Sequence, residues 1–225
     1  YDEHFYRYGG LRNCLFEVER SIIRDVVGSQ CPKPCRALDF ACGTGRVSKV
    51  LEELVMDVTG VDISAPMLKL AKSRCTLTRF VCGDMTQNPN LIDGEFGVIT
   101  SFRFFLNAQE ELRRSALAVL RSRIRDDGLF IVNFHFNPIS IVGLYSRISD
   151  RMRGVKRRVM SYSKAERLLR QHGFRARESY GYGYWLYRSE ELTMPRLARA
   201  IEMKLSRRGS IAALGLCFII VAEPM

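Results

Sequence analysis

The chain has 225 residues, 47% hydrophobic and 26% charged, proportions of an ordinary globular protein that exclude disorder over most of the length. Its formal charge of +11 attracts phosphate-bearing substrates, nucleic acid, acidic glycans or a membrane face alike, and selects none of them. The length suits one α/β domain with a modest insertion better than two domains.

Apolar residues at helical spacing (Leu11, Leu15, Val18, Ile22, Ile23, Val26) predict a first helix over 11–27, closed by Gly28 and then by Pro32 and Pro34. A strand-helix rhythm follows: strand 36–41, helix 46–55, β-branched strand 57–63, helix 65–74 with Pro66 in its first turn, and strand 77–82. A fourth strand is predicted over 96–102, an amphipathic helix over 110–124, a turn at Asp127-Gly128 and a fifth strand over 129–134. Helix 163–172, closed by Gly173, precedes strands 174–187 and 214–222. The stretch 137–160 exceeds the usual connection of about 4–6 residues and reads as a substrate-covering insertion. It carries the basic run Arg147, Arg151, Arg153, Lys156, Arg157 and Arg158, either a ligand-facing lid or a solvated face.

Alternation of strands and helices implies an α/β fold with a mostly parallel sheet, helices on both faces, and ligands beyond the carboxyl ends of the strands. Seven cysteines, odd in number and irregularly spaced, do not form a disulfide framework; free buried thiols and a reducing, cytoplasmic setting are expected. Cys31 and Cys35 lack a second Cys/His pair at ligand spacing, so no metal site is expected. No signal peptide is expected in the sequence as it stands, although it starts at Tyr1 and earlier residues can be missing. The apolar run 211–222 is too short to span a membrane as a helix.

The strand ends carry the candidate chemistry. After the first strand stands Leu38-Asp39-Phe40-Ala41-Cys42-Gly43-Thr44-Gly45, whose small residues let a ligand approach the backbone. A nicotinamide loop would place a third glycine where Ser48 stands, which speaks against that cofactor. Alone, the two glycines fit any tight turn. Asp62 ends the second strand in Val61-Asp62-Ile63-Ser64, and Asp84 follows the third in Gly83-Asp84-Met85.

These three segments together resemble the class I S-adenosylmethionine-dependent methyltransferases. The resemblance implies a Rossmann-like seven-stranded sheet with an antiparallel last strand, S-adenosyl-L-methionine as cofactor, and a methyltransferase domain over 31–225 preceded by an N-terminal lid and helix over 1–30. It implies that Asp39 orients the loop and the methionine moiety, Asp62 the ribose and Asp84 the adenine, with Met85 against the ring. Ala41, Cys42, Gly43, Gly45, Ile63, Ser101 and Tyr6 complete the expected cofactor set, Tyr6 or Tyr8 closing the site. Ala41 stands where many relatives have glycine.

Methyl transfer needs a positioned nucleophile and, for a hydroxyl, proton removal. Candidate residues follow the fourth and fifth strands: Arg103 for an anionic substrate group, and His135 as general base by its intrinsic pKa near 6.5. Each has a plainer use, as a surface arginine and a structural histidine. The fourth strand lacks the Asn-Pro-Pro-Tyr or Asp-Pro-Pro-Tyr signature of nucleic-acid amino methylation. Tyr180, Tyr182, Tyr184, Trp185 and Tyr187 would serve as core or as an aromatic wall. The leading expectation is O-methylation of a small-molecule or glycan hydroxyl beside an anionic group. RNA or protein-amine methylation and a non-catalytic cofactor-binding module are the rivals.

Overall fold

The computed structural model describes residues 11–31, 34–154, 158–185 and 196–225. Helix α1 (Leu11–Gln30) leads into β1 (Arg36–Phe40), α2 (Arg46–Leu51), β2 (Asp57–Asp62), α3 (Ala65–Arg74) and β3 (Arg79–Cys82). Then come β4 (Phe96–Ser101), α4 (Glu110–Arg123), β5 (Ile124–Phe134), α5 (Ile141–Met152), α6 (Tyr162–Gln171), β6 (Phe174–Tyr182), α7 (Arg196–Ser206) and β7 (Cys217–Pro224). The strands form one sheet in the order β3-β2-β1-β4-β5-β7-β6. Strand β7 lies between β5 and β6 and runs antiparallel to both; the remaining pairs are parallel.

Successive strand residues point to opposite faces, and here both faces are covered. Phe130, Val132 and Phe134 of β5 and Phe218, Ile220 and Ala222 of β7 pack under α4 and α6, on Leu117, Leu120 and Leu169. Their neighbours Leu129, Ile131, Ile219 and Val221 pack under α1 and α2, on Val18, Ile22, Ile23, Val50 and Leu51. Burial on two faces is why these strands read as continuous apolar runs rather than alternating ones. Fully burying one such side chain is worth roughly 1.5–3 kcal/mol, so the two layers fix the sheet's register firmly.

Several boundaries differ from the sequence reading. Helix α1 runs through Gly28 to Gln30: a glycine costs a helix only about 1 kcal/mol, less than the neighbouring buried Val26 and Val27 contribute. Strand β5 starts at Ile124, but its register jumps from Phe96↔Ile124 to Val98↔Leu129. The turn expected at Asp127-Gly128 thus survives as a bulge, clamped by Arg125 on both carboxylate oxygens of Asp127 at 2.9 and 2.8 Å. Strand β7 starts at Cys217 because Gly209–Leu214 coils into a 3-10 turn. Helix α7 was not legible, and its buried Glu202 accepts from the Gly183 N–H at 2.5 Å. Cys31 and Cys35 form a disulfide, correcting the expectation of free thiols at that pair; Cys14, Cys42, Cys75, Cys82 and Cys217 take part in no disulfide among the described residues. No described helix is long and apolar enough to cross a membrane.

Candidate active site

Strand order reverses between β1 and β4, and the carboxyl ends of these two strands flank a cavity of about 420 Å³. Asp39, Ala41, Cys42, Gly43, Thr44 and Arg46 line it from the β1 side, and Phe102, Arg103, Phe104 and Asn107 from the β4 side. A second cavity of about 270 Å³ continues past the ends of β2 and β3, lined by Val61, Asp62, Ile63, Gly83, Asp84, Met85 and Thr86. The two share Ala41, Asp62, Phe104 and Leu112. They are therefore one groove narrowed at Phe104, whose ring meets Phe40 and Phe105 edge-on at 5.0 and 5.1 Å.

Three acidic residues anchor the turns that follow β1, β2 and β3. Asp39 is buried at the end of β1, opposite Thr100 in register. It accepts hydrogen bonds from Ser48 Oγ at 2.6 Å and Thr100 Oγ1 at 2.9 Å. Burial pushes its carboxyl up to about 6 despite those two donors. Ser48 thus fills the third-glycine position with a hydroxyl that fastens the helix start to β1. Asp62 accepts from the Gly43 N–H and the Ser64 N–H, one on each oxygen, both at 2.8 Å. Each oxygen keeps a lone pair for a ligand hydroxyl. Asp84 takes the Thr86 N–H and hydroxyl on Oδ1, at 2.8 and 2.6 Å, and Oδ2 carries no hydrogen bond among the described residues.

Gly45 has φ +72, and a Cβ there would meet the Ala71 Cβ at 2.9 Å, so glycine is required for both conformation and space. Ala41 adopts φ +57 without being glycine, a conformation that glycine takes with no steric cost. Arg103 (φ +64) and Phe136 (φ +56) share the left-handed conformation. These three described non-glycine residues follow β1, β4 and β5, so backbone strain is concentrated along one edge of the sheet.

The acceptor end differs from what residue types suggested. Arg103 lines the cavity, and its main chain is held at both ends: its N–H donates to Asn133 Oδ1 at 2.6 Å and its carbonyl accepts from Asn107 Nδ2 at 2.8 Å. The Asn133 amide then faces buried Glu19, at 3.1 Å from Oε1, and the His135 Nε2, at 3.2 Å. Tyr182 donates to the same Glu19 oxygen at 2.6 Å. Because Asn133 can only donate through its nitrogen, His135 Nε2 must accept, and its proton sits on Nδ1, 3.2 Å from Cys217 Sγ. Burial pushes the imidazole down to about 4, so it is neutral at pH 7. His135 lines neither cavity described here.

The remaining expected residues fall as follows. Met85 is buried in the core and lines the second cavity; Ile63 stands exposed at its lip. Burial and the nearby Asp39 and Asp62 carboxylates push the Cys42 thiol far up, leaving it protonated and unreactive. Ser101 is buried in β4, lines neither cavity, and its Oγ has no partner among the described residues. Tyr182 is core, Tyr184 donates to the Ile211 carbonyl at 3.2 Å, and Trp185 is partly exposed; Tyr6, Tyr8 and Tyr187 lie outside the described residues. Sequence reading missed Phe104 and the Glu19–Asn133–Tyr182 network. Glu19 was findable: it sits four residues after Leu15 and three before Ile22, on the apolar stripe of α1.

Residues 37–128 match the family described as Methyltransferase domain. The chain is 33% identical over 126 residues to a demethylmenaquinone methyltransferase of Renibacterium salmoninarum, covering 55% of this chain and 52% of that protein. It thus spans about half the length of that relative. Among solved structures it superposes on a SAM dependent methyltransferase from Archaeoglobus fulgidus with TM-score 0.64 and 19% identity, covering 99% and 97% of the two chains. The magnesium protoporphyrin IX methyltransferase of Synechocystis PCC 6803 with bound SAH gives TM-score 0.62 and 15% identity, covering 96% and 87%; at such identities the likeness concerns the fold. Over residues 37–128, the stretch that holds the three acidic strand ends, the chain is thus similar to the methyltransferase domain family, and its sheet has the fold of S-adenosylmethionine-dependent methyltransferases.

Proposed function

We propose that this chain methylates a small molecule whose acceptor, a hydroxyl, lies beside an anionic group. The observation that carries this reading is Arg103, a cation lining the cavity with its backbone fixed at both ends by Asn133 and Asn107. S-adenosylmethionine, when bound, supplies a methyl group already activated on sulfonium. In this reading Asp84, Met85 and Ile63 hold the adenine side, Asp62 the ribose, and Asp39, Gly43 and Gly45 the amino-acid side.

Arg103 orients the anionic group of the acceptor, and the acceptor hydroxyl gives up its proton to solvent through the groove as its oxygen takes the methyl. We assign His135 a positioning role rather than the proton-acceptor role suggested by its intrinsic pKa. Its Nε2 lone pair is used by Asn133, which in turn fixes Arg103. A covering role for the expected insertion is supported by Arg158 near its far end, which donates to the carbonyl of Asn107 on the cavity rim. The Renibacterium relative is named for a small acceptor, demethylmenaquinone, which supports a small molecule here over RNA or a protein amine. The five cysteines outside the disulfide suit a cytoplasmic setting; the Cys31–Cys35 disulfide is the feature such a setting would open.

A labelled-methyl assay against hydroxy acids, phenols, quinols, glycans and RNA tests the reading. Label should enter an acidic small molecule, and Arg103→Gln should lower turnover about a hundredfold by loss of orientation while cofactor binding stays unchanged. Label entering only RNA, or turnover indifferent to Arg103→Gln, would refute it.

A further inference from the structure

Helix α5 is built the wrong way round for a helix on a water-soluble surface. At 100° per residue, Ile141, Leu144, Tyr145, Ile148 and Met152 fall on one stripe, spaced i, i+3, i+4, i+7 and i+11. That stripe faces outward: Ile141 is 72% exposed, Ile148 64% and Met152 83%. The opposite side, with Val142 and Gly143, is the buried one. A Cβ on Gly143 would overlap the Asn137 carbonyl, so the helix is fixed in this orientation. Ser140 caps it by accepting from the Gly143 N–H at 2.9 Å. Ile139, just before the cap, is exposed as well.

Exposed Arg147 and Arg151 flank the stripe along one side, and exposed Arg153 follows the helix. A solvated charge run would not carry five large apolar side chains outward. A nucleic-acid site would use the arginines but leave the aliphatic stripe in water. An apolar stripe bordered by arginines on a rigidly seated helix fits the boundary between lipid headgroups and acyl chains, where the stripe leaves water and the guanidiniums meet phosphates.

We propose that α5 docks this protein onto an anionic lipid bilayer, lying in the headgroup plane beside the mouth of the groove. Before the helix, Asn137 donates its N–H to the Leu216 carbonyl just ahead of β7, and after it Arg158 reaches the carbonyl of Asn107, which lines the groove. The proposal concerns where the protein sits and is independent of the methyl-transfer reading.

The test is co-sedimentation of the full chain with vesicles of phosphatidylcholine alone or mixed with phosphatidylglycerol. Binding is expected to the mixed vesicles, weakened by salt, and reduced roughly tenfold or more by Ile148→Asp. Arg147→Glu with Arg151→Glu should reduce it similarly. Because these side chains are exposed, thermal unfolding and S-adenosylmethionine binding should be unchanged in the variants, separating lost docking from lost fold. No binding to anionic vesicles, or binding indifferent to Ile148→Asp, overturns the proposal. So does a wild-type dimer that Ile148→Asp converts to monomer without any lipid binding, which would assign the stripe to a second copy. RNA binding without vesicle binding overturns it equally.

Discussion

Asp39→Asn separates what the site costs the fold from what it does for the cofactor. The carboxyl has an ordinary pKa of 3.8 and is raised to about 6 where it is buried between Ser48 and Thr100. A raised carboxylate pKa means the native state holds a proton that the unfolded chain releases. Stability is therefore lost as pH rises from about 4 to about 6 and does not return above it. Two pH units at 1.36 kcal/mol each amount to about 3 kcal/mol against the fold at neutral pH. Asparagine resembles the protonated acid and carries no such cost, and the Ser48 and Thr100 hydroxyls can turn to suit its amide. The difference in unfolding free energy between variant and wild type should thus change by up to about 3 kcal/mol between roughly pH 4 and pH 7, in the variant's favour. Urea unfolding across that range measures it. Calorimetry at neutral pH should show weaker binding of cationic S-adenosylmethionine by the variant. A stability difference flat in pH would refute the reasoning, because Asp39 would then not carry a buried charge.

Ala41→Gly should stabilise by about 0.5–1 kcal/mol: the left-handed residue costs alanine about 1–2 kcal/mol, and glycine's unfolded-state entropy returns only part of that. Thermal unfolding checks it, and a destabilised variant contradicts the strain at φ +57. Gly45→Ala should cost about 2 kcal/mol or more, since the methyl meets Ala71, and wild-type stability would mean the loop yields freely. Asp62→Ala frees the Gly43 and Ser64 N–H groups and should weaken cofactor binding at least tenfold by calorimetry, a lost charged hydrogen bond being worth about 1.5–3 kcal/mol; unchanged affinity would exclude Asp62 from the site. His135 is held neutral down to about pH 4, so it contributes stability that is present above about pH 6.5 and lost as pH falls toward 4. His135→Gln should flatten that acid limb and raise KM for the acceptor more than it lowers kcat, whereas a collapse of kcat alone would restore the general base.

The sheet was legible because both its faces are buried: continuous apolar strands at regular spacing, broken by glycine loops, specify a parallel core almost irrespective of detail. The acidic strand ends were legible for a related reason. Asp39, Asp62 and Asp84 stand where apolar runs stop, and a carboxylate there has little to do but hold a loop or a ligand. Residue type says least where partners lie far apart in sequence. Nothing in the sequence shows that Asn133 faces the His135 Nε2, or that Glu19 joins that network from 114 residues away. Helix α7 was hidden because it packs through Glu202 as well as through apolar residues. The outward stripe of α5 obeys the same periodicity as a core helix, so sequence alone could not say which way it faced.

Where strain and burial collect in this fold is a matter of geometry. A parallel sheet fixes the positions of its strand ends to within the register of its ladder, and two apolar layers make that register costly to shift. Backbone that must leave such a frame abruptly is forced into conformations other than the broad β and right-handed regions. Ala41, Arg103 and Phe136 are three such exits, each about 1–2 kcal/mol uphill for a residue with a Cβ. Asp39, buried and reluctant to ionise, is a further cost at the same edge. All four lie where β1, β4 and β5 end, and none in the interior of either layer. The layers on either side supply the stability that holds these groups in place. Relieving one cost should therefore raise stability and, for Asp39, lower affinity for the cofactor; if it raised both, the strained edge would be an accident of the chain rather than part of the site.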